Sequence, residues 1–204
     1  MRGNPVSAGL KLIRARIKLS KGVVHILISG AGIAGCTLAY CLQRRGIRST
    51  IVEKSGSRRT EGYMVDFFDS SYDAAERLNL LPDLHGIHYG IPDLAFFGSA
   101  GEREFSIPYS SIRKLFDGRH FNFMRGDLVR VLYSKLEGLD VRFGVEVDRV
   151  DSNEDRCSVI LSDGTNVECS LLVGADGVHS RVRALCFGDE SQFLRFFIAT
   201  LLPL

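Results

Sequence analysis

The stretch Val23–Glu53, VVHILISGAGIAGCTLAYCLQRRGIRSTIVE, leaves few folds open to this chain. It opens with a short apolar run, Val23, Val24, Ile26, Leu27 and Ile28. A run of that length and β-branched content fits a strand buried on both faces of a parallel sheet. Gly30-Ala31-Gly32-Ile33-Ala34-Gly35 follows, with the spacing GxGxxG. Gly30 permits the tight turn off the strand. Gly32 lacks a Cβ, so a pyrophosphate can approach the backbone. Gly35 lets the next helix pack close to the sheet. That helix is expected to carry Ala34, Leu38, Cys41 and Leu42 on its apolar side and to end at Arg44, Arg45 and Gly46. Its N-terminus offers free N–H groups and partial positive charge to a phosphate, so Gly30 through Gly35, including Ala31, Ile33 and Ala34, form the expected cofactor loop.

A second strand, Ser49–Val52, ends at Glu53, 18 residues beyond Gly35. An acid at that place accepts hydrogen bonds from the hydroxyls of an adenosine ribose. A ligand-free βαβ turn is the alternative, but it leaves the acid and the third glycine without a purpose.

At 204 residues the chain can bury one good core, or one domain and part of a second. Its hydrophobic and charged fractions, 45% and 25%, are those of a globular protein. Cys36, Cys41, Cys157, Cys169 and Cys186 show no metal-ligand spacing and read as reduced thiols of a cytoplasmic protein. No metal is expected. The net charge of +2 conceals an asymmetry. Residues 1–22 carry Arg2, Lys11, Arg14, Arg16, Lys18 and Lys21 and no acid, so the remainder holds 20 basic against 24 acidic residues. This mildly acidic body does not suit a nucleic-acid binder. The basic extension, with Leu10, Ile13 and Ile17 at helical spacing, reads either as a targeting leader or as a loose segment. No stretch has the length and apolarity of a membrane span.

Further along, Tyr63–Phe68 reads as a strand containing Asp66, and Ser70 or Ser71 as the cap of a helix reaching Leu78, with Asn79 at its end. Pro92–Phe97 and Glu102–Ile107 flank a glycine turn as a hairpin. Phe121–Met124 reads as a strand leading to Arg125, and Gly126-Asp127 as the start of a helix to Leu136. Val141–Val150, Cys157–Leu161 and Val167–Val173 are each expected to be one strand. Strands 24–29, 49–53 and 167–173 should share a parallel sheet, with a more antiparallel layer from about 90–160. His25 is expected to pack in the first strand, and His85, His88 and His120 to lie at the surface.

A second motif, LLVGADGVHSRVR at Leu171–Arg183, runs from an apolar strand through Gly174-Ala175-Asp176-Gly177 into a helix capped by Ser180. Asp176 at the strand end can accept from backbone N–H groups or from a ribityl hydroxyl. A purely structural aspartate is the alternative reading of this motif alone.

Together, GAGIAG with Glu53, GYMVDF, Arg125-Gly126-Asp127-Leu128 and GADGVHSRVR resemble the class A flavoprotein monooxygenases, the para-hydroxybenzoate hydroxylase-like enzymes that include the tetracycline-inactivating monooxygenases. The resemblance covers about residues 24–195. It implies an α/β fold: a Rossmann-like FAD-binding βαβ domain at 23–90 and 165–195, a mixed antiparallel β insertion at 91–164, the basic extension 1–22 and an apolar tail 196–204. It implies FAD as cofactor, NAD(P)H as co-substrate, and transfer of one oxygen atom of O2 to a small aromatic or conjugated substrate. By position, Lys54 is the basic residue near the adenosine, Arg125 the arginine near the ribityl–phosphate portion, Asp66 an acid near the flavin, and Asp176 the acid of the second motif. Arg58 or Arg59 falls where an NADPH-phosphate arginine stands. The later GDAAH-type motif does not occur, so the resemblance implies a chain truncated before the C-terminal half. Such a chain is expected to bind FAD weakly, to hydroxylate nothing efficiently and to self-associate through its apolar tail. No acid–base residue for the substrate can be assigned. A different flavin or nicotinamide oxidoreductase, and a non-catalytic remnant or partner subunit, remain open as alternatives.

Overall fold

The structure, a computed structural model, describes residues 24–58, 62–152 and 157–194. The basic extension, the apolar tail and Arg59 lie outside the described residues.

The apolar run folds as β1 (His25–Ser29), and its alternation explains its central place. Ile26 and Ile28 enter a core shared with the helices, whereas Leu27, fully buried, enters a second core against another sheet. The chain then turns through Gly30 into α1 (Ile33–Gln43) and returns as β2 (Arg48–Glu53), parallel to β1. Gly46, at φ +67°, ends the helical segment as the sequence predicts. The buried face of α1 is Gly35, Cys36, Ala39 and Leu42. Ala34, expected on that face, is exposed, and Cys41 is half-buried. The helix meets the sheet one residue further round because Gly35, not Ala34, sits beneath the loop.

Next come β3 (Met64–Phe68), α2 (Ser70–Arg77) and α3 (Leu81–Gly86). Neither Ser70 nor Ser71 caps α2; both lie in its first turn, and Asp69 holds the cap position with φ +52°. Asn79 (φ +57°) terminates it, and Pro82 lies in the first turn of α3, where its missing N–H costs nothing. The hairpin β4 (Asp93–Phe97) and β5 (Arg103–Pro108) forms as expected. It is followed by α4 (Tyr109–Leu115), β6 (His120–Met124) and α5 (Arg125–Ser134). β6 pairs antiparallel with β3.

Two expected strands each divide in two. Val141–Val150 breaks at Gly144 (φ +73°) into β7 (Asp140–Phe143) and β8 (Val147–Ser152). β7 pairs parallel with β2, so part of the insertion belongs to the central sheet. Val167–Val173 breaks at Ser170, giving β10 (Asn166–Cys169) and β11 (Leu171–Gly174) on either side of a corner. Ser170 N–H donates to the His25 carbonyl at 2.8 Å, and this bond turns the chain from one sheet into the next. The chain closes with α6 (Arg181–Phe187) and a short 3-10 turn at Glu190–Gln192.

The central sheet is therefore fully parallel, in the order β11-β1-β2-β7. A three-stranded antiparallel sheet, β10-β9-β8, includes β9 (Cys157–Leu161) and packs against one side of it through Leu27, Val52, Val147, Val159 and Leu161. Helices α1 and α5, with Phe121 and Phe123 of β6, cover the other side. The parallel neighbours 24–29, 49–53 and the second half of 167–173 are as predicted. The histidines are only partly so: His25 packs between Thr50 and the Glu168 carbonyl, but His120 is 1% exposed rather than at the surface. β6 is covered on both faces, and burial lowers the affinity of His120 for a proton. Among the described residues no helix is long and apolar enough to cross a membrane.

Because Leu27 joins the two sheets, Leu27→Ala is expected to lower unfolding stability by about 2–5 kcal/mol. The check is the urea midpoint of the purified chain. A loss under about 0.5 kcal/mol, as at surface sites, would show that the sheets do not share this core.

Candidate cofactor site

The carboxyl ends of β11, β1, β2 and β7 converge on one cavity of about 540 Å³. That volume lies within the range of about 300–1,000 Å³ usual for small-molecule sites. Its place follows a general rule: in an open parallel sheet, ligands bind beyond the carboxyl ends of the strands where chain connections diverge. Here β1 connects through α1 to β2 on one side, while β11 arrives on the other.

The three glycines of the loop do three different things. Gly30 has φ +109°, and a Cβ there would stand 2.4 Å from the Ala175 carbonyl oxygen. Gly35 lies below the loop, where a Cβ would fall 1.9 Å from the Gly30 oxygen. Gly32 differs from both. Its φ of −79° suits any residue, and an added Cβ would meet only Arg125 Nη2, at 3.7 Å. Gly32 therefore presents open backbone to the cavity, a cradle that a side chain would fill. It is also the N-cap of α1, and no side chain caps that helix. The first-turn amides and the positive end of the helix dipole thus face a space that can take an anion.

Arg125 stands over this point. Its backbone N–H donates to the Tyr63 carbonyl at 3.0 Å, and its side chain passes beside Gly62, where a Cβ would be 3.0 Å away. Among the described residues no carboxylate pairs with its guanidinium. Lys54 and Arg58 also line the cavity, and Arg58 lies 4.5 Å above the Tyr133 ring.

Glu53 closes the loop from the β2 side. One carboxylate oxygen accepts from Ala31 N–H at 2.8 Å and the other from Ser55 N–H at 3.0 Å. Nearby, Cys36 donates to the Ala31 carbonyl, and burial, with the Glu53 charge, pushes its thiol up to about 11. It is an inert packing group.

The second motif forms the opposite wall. Asp176 accepts from Ser180 Oγ and, at 3.1 Å, from Val182 N–H, which ties the turn to the start of α6. Ser180 caps that helix as predicted, accepting from Arg183 N–H at 3.0 Å. Ala175 N–H donates to the Ser29 carbonyl at 2.8 Å, joining the turn to β1.

Gly30, Ala31, Gly32, Glu53, Lys54, Arg125 and Asp176 are thus brought to one cavity. Ile33, Ala34 and Gly35 support it from the helix without lining it. Asp66 stands apart. It accepts from Tyr109 Oη at 2.6 Å and from Asn122 Nδ2, on the sheet of β3 and β6. Phe143 and Glu146 line the cavity and were not anticipated. The signal was available: they flank the end of a parallel strand, hidden by reading 141–150 as one strand. His179 and Glu190, 2.7 Å apart, edge the cavity from the α6 side.

Comparison with known proteins agrees with this geometry. Residues 120–189 match the FAD binding domain family, and residues 28–66 match the NAD(P)-binding Rossmann-like domain family. A flavin-dependent monooxygenase, eupH, of Phoma sp is 30% identical over 176 residues, covering 82% of this chain and 41% of that protein. The 3-hydroxybenzoate 6-hydroxylase 1 of Aquipseudomonas alcaligenes is 31% identical over 172 residues, covering 81% of this chain and 43% of the enzyme. The crystal structure of the tetracycline destructase Tet(55) superposes with a TM-score of 0.71 at 25% identity, over 81% of this chain and 41% of that one. The homologues of this chain are flavin-dependent monooxygenases, and the resemblance read from the motifs is borne out. The chain spans less than half the length of the curated relatives it matches.

The loop geometry separates two glycines by experiment. Gly35→Ala is expected to lower the melting temperature of the chain by at least several degrees, since its Cβ meets backbone. Gly32→Ala should leave it within about 0.5–1 kcal/mol of the wild type. Equal stability of both variants would contradict the assigned packing.

Proposed function

We propose that this chain forms the FAD-holding part of a monooxygenase of the class A type, taking electrons from NAD(P)H. Its homologues are flavin-dependent monooxygenases, and the residues present fit the cofactor. The observation that carries the reading is the Arg125 guanidinium, without a carboxylate partner among the described residues, over the bare N-cap of α1 at Gly32. A helix start with no side-chain cap, beneath a guanidinium, suits a phosphate better than any neutral group.

In this reading Gly32 and the first-turn amides of α1 take the pyrophosphate, with Arg125 as counter-charge. Glu53 takes the adenosine ribose hydroxyls, with Lys54 beside it. Asp176, already holding the second turn against α6, faces the ribityl portion. Once bound, FAD supplies the electron transfer from NAD(P)H and the activation of O2 for insertion into a small aromatic or conjugated substrate. What these residues themselves do is bind, orient and neutralise charge. Arg58 serves as a candidate contact for the NADPH phosphate. Asp66, held by Tyr109 and Asn122, lies on the sheet of β3 and β6, and we assign it to the flavin-ring side of the site.

A second reading, an oxidoreductase that binds NAD(H) alone, is favoured by the match of residues 28–66 to an NAD(P)-binding family. Equilibrium titration by flavin fluorescence separates the two. The chain is expected to bind FAD, and to bind it more tightly than NAD(H). Arg125→Ala should weaken FAD by about 1.5–3 kcal/mol, the loss expected for a hydrogen bond to a charged group. Glu53→Gln should weaken it by a similar amount. NAD(H) binding without FAD binding, or unchanged FAD affinity in both variants, would overturn the proposal.

A further inference from the structure

The antiparallel pair β9 and β10 sets Cys157 directly opposite Cys169. Leu161 N–H donates to the Thr165 carbonyl at 2.9 Å at the turn end of the pair. Counting back by twos from that bond makes Val159–Val167 and then Cys157–Cys169 the closely bonded kind of pair. Such residues have Cα atoms about 5.5 Å apart, inside the range of about 4.4–6.8 Å that a disulfide spans. Their side chains leave the same face of the sheet, the face that packs into the core with Val159, Leu161 and Val167. Cys157 is half-buried and solvent reaches it, whereas Cys169 is 7% exposed. One thiol is therefore open to a small oxidant and the other is held behind it.

We propose that Cys157 and Cys169 are an oxidisable cysteine pair that hydrogen peroxide converts to a reversible disulfide. The Cys157 thiolate attacks one peroxide oxygen; the O–O bond breaks, hydroxide leaves, and Cys157 becomes a sulfenic acid. The Cys169 sulfur then attacks the Cys157 sulfur. The S–S bond forms, the S–O bond breaks, and water leaves with the Cys169 proton. Two electrons pass from the two thiols to one peroxide.

The local chemistry divides these roles. The Cys169 thiol facing it holds the Cys157 thiol below the ordinary cysteine range, against the opposing effect of partial burial. Cys169, the more deeply buried of the two, is pushed up by its pairing with Cys157 and by burial, so it stays protonated until it resolves the sulfenic acid. A thiol lowered in this way carries more thiolate at neutral pH than an ordinary cysteine does. Cys186 is exposed, but burial of its sulfur and the neighbouring Cys157 charge raise it, so it is the poorer nucleophile.

The bond would fall at the corner where β10 becomes β11. Ser170, between them, is fixed to His25 of β1 through both its N–H and its Oγ. The same β11 runs directly into Gly174–Asp176 at the cavity wall.

The test is made on the wild-type chain with one equivalent of hydrogen peroxide at neutral pH, followed by alkylation, non-reducing digestion and mass spectrometry. The expected product is a cross-link between the peptides of Cys157 and Cys169, with two of the five thiols lost to alkylation and regained with dithiothreitol. In Cys169→Ser, dimedone should label Cys157. In Cys157→Ser, Cys169 should stay reduced. If Cys157 and Cys169 remain alkylatable while Cys41 or Cys186 is oxidised, or if the cross-link joins Cys157 to Cys186, the proposal is wrong. Because the decisive readout is on the wild type, misfolding of a variant does not protect it.

Discussion

Backbone crowding at the carboxyl end of β1 is the constraint on which the rest depends. Within a few residues the chain must leave β1, start α1, and allow the turn after β11 to pass overhead. The space is too small for side chains at two positions. A Cβ at Gly30 would collide with Ala175 and one at Gly35 with Gly30 itself. Removing both Cβ atoms draws the loop, the helix and the second motif together, and Glu53 then fastens the loop through Ala31 N–H. The third glycine is the consequence of value to a ligand. With its neighbours locked, Gly32 is left as bare backbone at the head of a helix, beneath a guanidinium.

That arrangement holds because β1 is buried on both sides. Ile26 and Ile28 anchor it to the helical layer, and Leu27 to the antiparallel layer. The parallel sheet is thus the middle of three layers, and its strand ends are fixed relative to one another. The antiparallel layer also delivers the chain to β11 through the Ser170 corner, so the wall carrying Asp176 is positioned by the packing of β8–β10 rather than by its own turn alone.

The features legible in the sequence were those encoded locally. The glycine spacing, Glu53 at the end of β2, the Ser180 cap and the glycine-turn hairpin each depend on a few neighbouring residues. What was not legible depended on partners far away in sequence. Val167–Val173 reads as one strand despite Glu168 and Ser170, and the bond from Ser170 to His25 divides it. Val141–Val150 divides because Gly144 and Val145 bond back to Ser55 and Glu53, which brought β7, Phe143 and Glu146 to the site unannounced. His120 reads as a surface residue in the sequence; in the fold Phe68, Tyr109 and Phe116 gather around its ring. Asp66 was read by resemblance as facing the flavin; in the fold its carboxylate is engaged by Tyr109 and Asn122, whose positions no local pattern reveals.

The central claim is that a dinucleotide lies with its pyrophosphate against Gly32 at the start of α1. Hydrogen–deuterium exchange on the chain with and without saturating FAD tests it most directly. The account predicts slowed exchange in the peptides covering residues 30–36 and 174–184, with the β4–β5 hairpin unchanged. Binding of FAD with no protection at 30–36, or with protection confined to the hairpin, would contradict it.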